Sequence, residues 1–176
     1  MYRLNKQKLI IVKKEESFNE IIKENSNRIM RICSYYSSGN SNTDDLYQEV
    51  LINIWKSLEK FRGESAISTW IYRVAVNTCL THSAKTGKYY SLMINATPEI
   101  FNVLTDDEHT KSIQKEEKFE ALSTELNLLS VIDKALISLV IEGLSTKEIS
   151  DVIGITEPNV RTKICRIKSD LRKKLI

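Results

Sequence analysis

Between residues 47 and 88 the chain sets aromatic rings among cations. Tyr47, Trp55, Phe61, Trp70 and Tyr72 alternate with Arg62, Arg73, Lys85 and Lys88, and Asn77 lies among them. Unpaired nucleic acid suits this mixture, because bases stack on or insert beside rings while phosphates meet positive charge. An amide side chain can also read the edge of a base turned out of the duplex. Rings at helical spacing are more often core than platform. Trp55 is therefore expected in the core or against a partner. Phe61, next to Arg62-Gly63-Glu64, is expected in a functional loop.

A second group of residues lies at the other end of the chain. From Pro158 to Ile176 there are seven basic residues and one acid, Asp170. The run that leads into it, Leu144 to Lys168, reads as two short helices broken by a glycine. Ser145 can cap the first helix, because Glu148 stands three residues on and can reach back. Ile149, Val152 and Ile153 then form one apolar stripe. Gly154 is where the chain leaves the helix, at a backbone angle that glycine adopts cheaply. Thr156 can cap the second helix, and Pro158 falls in its first turn, where a missing amide costs little.

In that second helix Val160, Ile164, Ile167 and Leu171 recur at spacings of four, three and four and must face the core. The opposite face carries Thr162, Cys165, Arg166 and Ser169, flanked by Asn159 and Arg161. This is the pattern of a helix-turn-helix, whose second helix reads bases from its amino end. Asn159, Arg161, Thr162 and Arg166 are the expected base contacts. Lys163, Lys168, Arg172, Lys173 and Lys174 are better placed for phosphates. A charge run alone would be only a solvated face. Here the caps, the glycine and both stripes fall at consistent places.

The elements that must position these groups are helical. Ser17 and Glu20 read as another capping box, and Phe18, Ile21, Ile22, Ile29, Ile32, Cys33 and Tyr36 as its stripe. Thr43 is expected to cap the next helix, with Asp44 and Asp45 at its positive end. Tyr47, Val50, Leu51, Ile54, Leu58 and Phe61 line its apolar side, and Gly63 breaks it. A third helix is expected from about Ala66 to Lys85. Periodicity is lost from Gly87 to about Lys111, where Pro98 intervenes. Residues 91–128 hold eight acids against three lysines, which reads as an acidic connector. Beyond it Phe119, Leu122, Leu126 and Leu129 resume a helix. Ser130 caps another, with Ile132, Ala135, Leu136, Leu139 and Val140 inside and Gly143 at its end.

The expected fold class is all-α, two small helical domains joined by a flexible acidic linker. The expected limits are 15–90, a linker at 91–115, and 116–176. A content of 41% hydrophobic residues can bury a core, while 5 glycines and 2 prolines favour helices. No apolar run approaches a membrane span and the first residues are not a signal peptide, so a cytoplasmic protein is expected. Cys33, Cys79 and Cys165 have no C-x-x-C spacing, and His82 and His109 complete no metal set. Three reduced thiols and no metal or cofactor are expected. No paired carboxylates, Ser/His/Asp set or phosphate-cradling glycine loop points to an enzyme.

Three ordered motifs carry a resemblance. They are Asp45-Leu-x-Gln-Glu-Val with Phe61-Arg-Gly-Glu-Ser, then Ser68-Thr-Trp-Ile-Tyr-Arg-Val-Ala-Val-Asn77, then Ile132-Asp-Lys-Ala-Leu-Ile with Glu142-Gly-Leu-Ser-x-Lys-Glu-Ile. From about Phe18 onward the chain resembles bacterial RNA polymerase sigma factors of the compact extracytoplasmic-function type. The resemblance implies a promoter-specificity subunit that binds core RNA polymerase and promoter DNA and promotes initiation. It implies docking on the polymerase through Asp45, Gln48 and Glu49. It places Phe61 and Asn77 at the melted −10 element; Arg62, Trp70 and Arg73 are the ring and cation candidates beside them. It matches Arg161, Thr162 and Arg166 to the helix that reads the −35 element, with Asn159, Lys163 and Lys168 alongside. An anti-sigma factor is a further partner of such proteins, and a monomer is expected when the chain is free. The rival reading is a stand-alone helix-turn-helix regulator not stably bound to polymerase. It would need a sensor half containing strands, and residues 15–85 show no strand pattern.

Overall fold

The computed structural model describes residues 2–37, 40–86, 98–105 and 115–175, with side chains over 15–37, 42–85, 99–104 and 117–175. The described elements are helices: α1 (Tyr2–Tyr35), α2 (Asn40–Ser57), a 3-10 turn (Leu58–Lys60), α3 (Ile67–Thr86), α4 (Pro98–Thr105), α5 (Lys115–Leu128), α6 (Val131–Ile141), α7 (Thr146–Ile153) and α8 (Glu157–Leu175). The all-α class read from the sequence is the class observed.

The first helix begins earlier than its expected cap. No glycine or proline occurs before Gly39, so nothing stops helix propagation, and α1 runs through Ser17 as an interior residue. Thr43 likewise lies inside α2, three residues past its start at Asn40. Neither residue is the cap it was expected to be. α1, α2 and α3 pack on one another. Ile29, Ile32, Leu46, Val50, Ile54, Ile71, Ala75 and Val76 are buried between them.

Most features of the carboxy-terminal half stand where the sequence places them. The Ser130 hydroxyl accepts from the Asp133 amide at 3.2 Å and caps α6. Leu122, Leu126, Ala135, Leu136, Leu139, Ile149, Val152, Val160, Ile167 and Leu171 form the buried side. Ile132 departs from expectation. It lies in the first turn of α6, beside the end of α5, and is 43% exposed; Leu128 across the junction is 71% exposed.

A short helix lies within the segment read as linker. Pro98 opens α4, where its missing amide is no loss, and Glu99 complements the positive end. Ile100, Phe101 and Leu104 are buried. α4 packs on α5 and α8, with Phe101 edge-on to Phe119 at 5.7 Å. Eight residues are too few for periodicity to stand out against the acids that follow. The two halves also touch, with α3 against α7 and α1 against α6, which no local pattern could indicate.

Candidate nucleic-acid interface

The aromatic loop is built by the end of α2. The Phe61 amide donates to the Leu58 carbonyl at 3.1 Å and closes the 3-10 turn. The Phe61 ring then lies 5.4 Å from the Trp70 ring, tilted by 48°, a spacing at which ring quadrupoles attract. Both rings are half-buried. Gly63 reverses the chain at φ 73°, an angle costly for any residue with a Cβ. Arg62 and Glu64 stand out into solvent 4.0 Å apart.

Arg73 and Asn77 lie one turn apart on α3, so they share a face, and both are exposed. Asn77 opens onto a groove of about 490 Å³ between α2 and α3. Lys56, Lys60 and Lys85 line it together with Asn53 and Thr81. Lys56 and Lys60 were missed at the sequence level. Their four-residue spacing, from the last turn of α2 to the end of the 3-10 turn, was the available signal, but only packing brings them opposite Asn77. Trp55 is half-buried, edge-on to Phe18 at 5.2 Å.

The expected polymerase-docking residues lie on the outer side of α2. Asp45 and Gln48 are exposed. Glu49 is partly turned inward, its Oε2 at 3.1 Å from Nδ1 of His82 on α3. Ile52 follows Gln48 by one turn and is 50% exposed, so this acidic and polar face also carries an exposed apolar side chain.

The helix-turn-helix is closed by local bonds. The Ser145 hydroxyl accepts from the Glu148 amide at 3.3 Å, and Glu148 Oε2 accepts from the Ser145 amide at 2.8 Å. The Ser145 hydroxyl also donates to Glu148 Oε2 at 2.7 Å, and that bond first, with the one from the Ser145 amide, holds the Glu148 carboxyl below the usual carboxylate range. Gly154 adopts φ 82° and its amide donates to the Ser150 carbonyl at 2.9 Å. The Ser150 hydroxyl donates to the Ile155 carbonyl at 2.7 Å and pins the turn.

α8 presents its basic face already braced. Glu157 Oε1 accepts from the Thr146 hydroxyl at 2.7 Å and from Nη2 of Arg161 at 2.6 Å. One carboxylate thus ties α8 to α7 and orients an arginine. Asp133, on α6, plays the same part further along. Its Oδ1 accepts from Nζ of Lys163 at 2.8 Å, and its Oδ2 is 3.8 Å from Arg166. Burial disfavours the Asp133 carboxylate, yet the bonds from Lys163 and Ser130 outweigh burial and hold its carboxyl below the usual value.

Asn159, Arg161, Thr162, Cys165 and Arg166 are exposed together. Arg161, Cys165, Lys168, Arg172 and Lys173 line a groove of about 630 Å³ that reaches Thr146. Lys168 is partly buried, and that burial lowers its pKa. Lys163 turns away from this groove toward Asp133, which occupies its ammonium group. Asp133 and Glu157, which set the basic side chains, were not singled out from the sequence. Each acts on a residue in another element or at a helix start, and neither belongs to a stripe.

Among the described residues no three His, Cys, Asp or Glu side chains gather to hold a metal, and no helix is long and apolar enough to cross a membrane. What these surfaces define is an all-helical protein with a helix-turn-helix in one half and a ring-and-cation loop in the other. Residues 21–89 match the family described as Sigma-70 region 2, and residues 119–171 match Sigma-70, region 4. Together these matches cover more than two thirds of the chain. The chain belongs to the sigma-70 family, and within it to the ECF type of RNA polymerase sigma factor. It is a sigma subunit, a regulatory component of transcription initiation.

Relatives agree along nearly the whole length. The chain is 28% identical to the ECF RNA polymerase sigma-E factor of Haemophilus influenzae, over 92% of this chain and 88% of that one. It is 27% identical to the RNA polymerase sigma-H factor of Pseudomonas aeruginosa, over 92% and 87%. Two solved structures share the fold at 16% identity. One is the sigma factor RpoE in complex with the anti-sigma factor NepR from Bartonella quintana, with a TM-score of 0.66 over 91% of this chain and 97% of that one. The other is CnrH in complex with the cytosolic domain of CnrY, with a TM-score of 0.62 over 90% and 87%.

Proposed function

We propose that the two faces divide promoter recognition between them. α8 reads the −35 element as duplex, with Asn159, Arg161, Thr162 and Arg166 toward base edges and Lys168, Arg172 and Lys173 toward phosphates, while Lys163, expected among the phosphate contacts, is held by Asp133 instead. The loop and α3 hold unpaired bases of the −10 element through Phe61, Arg62, Trp70, Arg73 and Asn77. Holding unpaired bases favours the strand-separated state by differential affinity for it. Asp45, Gln48 and Glu49 dock α2 on core polymerase. Domain two spans 15–90 and domain four 116–176, with 91–115 connecting them. The free chain is a cytoplasmic monomer, and an anti-sigma factor, as seen with the RpoE of Bartonella quintana, is a partner.

One observation carries this reading. Two faces of different character, a basic helix-turn-helix and a half-buried ring pair followed two turns along α3 by an exposed asparagine, occur in one chain of the sigma-70 family. Run-off transcription with core polymerase tests it. Asn77→Ala is expected to lose selectivity at a −10 base, and Arg166→Ala to weaken use of the −35 element, each by about tenfold, the worth of one good base contact. Wild-type transcript levels from both variants would rule out these assignments.

A further inference from the structure

The groove along α8, about 630 Å³ in volume, holds more than a duplex needs. Arg161, Arg172 and Lys173 surround it with positive charge, and the partly buried Ile164 adds an apolar side chain to its wall. Phosphates account for the cations. They account neither for the apolar side chain nor for the thiol of Cys165, which is exposed in the same groove.

Two nucleophiles share that wall. Cys165 and Lys168 stand three residues apart inside α8 and both line the groove. Residues at this spacing leave one face of a helix with Cβ atoms about 5–6 Å apart. The four-carbon stem of a lysine spans that separation, so Nζ of Lys168 reaches a group carried on the Cys165 sulfur.

Lys168 differs from the other cations of this helix. Lys163 gives its ammonium group to Asp133, Lys174 gives its own to Glu125, and Arg161 donates to Glu157. Lys173 is exposed. Lys168 is partly buried, and burial disfavours its charged form. The neutral amine is the form that attacks carbon. A cationic rim, an apolar wall and two neighbouring nucleophiles fit one kind of ligand, which is a small acyl group carried as a thioester on a phosphate-bearing arm.

We propose that Cys165 and Lys168 form an acyl-relay site, in which the thiol takes an acyl group from such a thioester and passes it to Nζ of Lys168. The Cys165 thiolate attacks the thioester carbonyl. A new C–S bond forms, the old one breaks, and the carrier leaves as a thiol with the proton that Cys165 gave up. Nζ of Lys168 then attacks the same carbonyl. The N–C bond forms, the bond to Cys165 breaks, and the proton lost by the amine returns to the sulfur. Nothing is oxidised or reduced. One amide and the free carrier thiol are the products, and Lys168 has lost its charge. The effect of that loss on DNA rests on the −35 reading argued above, whereas the relay itself does not.

The test treats the reduced, full-length chain with acetyl-coenzyme A and follows each lysine by mass spectrometry. Lys168 should be acetylated about tenfold faster than Lys173, a small part of what a placed neighbouring group can supply. S-acetyl-N-acetylcysteamine, a thioester without phosphates, should lose that preference. Cys165→Ser should bring Lys168 down to the Lys173 rate. Lys168→Arg should trap the acetyl group on Cys165 as a thioester that hydroxylamine releases. Acetylated wild type should bind duplex −35 DNA more weakly, with a salt slope smaller by about 0.9, the worth of one phosphate contact. The same treatment should not move the slope of Cys165→Ser. Equal rates at Lys168 and Lys173, a wild-type rate in Cys165→Ser, or no releasable acetyl group on Lys168→Arg overturns the relay. An equal preference with the phosphate-free thioester overturns the ligand class. Acetylated Lys168 with an unchanged slope overturns the effect on DNA. If Arg166→Ala also binds −35 DNA as wild type does, the −35 reading fails and the relay stands.

Discussion

The two regions proposed to face DNA are prepared differently. On α8 the basic side chains are held before any ligand arrives: Arg161 by Glu157, and Lys163 and Arg166 by Asp133. On the α3 side the rings of Phe61 and Trp70 are set against each other, while Arg62, Arg73 and Asn77 extend into solvent. A duplex offers a fixed spacing of base edges, so a rigid reader loses little entropy on binding. Unpaired strands vary in conformation, and a fixed ring pair surrounded by adaptable polar groups suits them. On the proposed assignment, bracing belongs to the −35 side and adaptability to the −10 side.

Removing the largest brace should hurt most. Asp133→Ala leaves Lys163 without its carboxylate, frees Arg166 and removes a contact of the α6 cap. A loss of about 2 kcal/mol in unfolding free energy is expected, less than for a fully buried pair. Duplex −35 affinity should fall with it, while binding to a premelted −10 fork stays unchanged. Denaturant titration and fluorescence anisotropy on the two DNAs check this. Equal losses on both DNAs would erase the contrast.

The reverse experiment targets the ring pair. Phe61→Ala should weaken fork binding by about tenfold, within the range of one stacking contact, with duplex −35 affinity intact. A smaller effect is expected from Thr146→Val, which removes one bond to Glu157 and leaves Arg161 less well oriented. About a threefold loss in −35 affinity is expected, and none on the fork.

The smallest effect is on pH dependence. The Asp133 carboxyl titrates below its ordinary 3.8 in the folded chain, so the unfolded chain takes up its proton first as pH falls. The stability it contributes is present above about pH 4 and is lost as pH drops through the lower folded value. Melting temperature should therefore fall more steeply between about pH 5 and pH 3 in wild type than in Asp133→Asn. Identical slopes would show that Asp133 is not the brace.

Much of the carboxy-terminal half could be read from neighbouring residues. Ser145 with Glu148, Gly154, and the stripe Val160, Ile164, Ile167 act within a turn or two, and they stand as expected apart from Ile164, which is only partly buried. Local signals also misled. Ser17 and Thr43 have the chemistry of caps, but helices continue through both because nothing nearby interrupts them. α4 was hidden because three apolar residues in eight make too weak a pattern.

From its residues alone the chain determined its helices, its helix-turn-helix, its exposed basic face and its sigma-like motifs, since each depends on groups a few positions apart. Only the tertiary structure decided that Asp133 holds Lys163, that Lys56 and Lys60 face Asn77, and that Arg31 of α1 pairs with Glu142 at the end of α6. Those pairs join side chains from different helices, and no periodicity along a chain records which helices will meet. Burial then makes them matter, because a carboxylate shielded from water depends on the partner that packing brings to it.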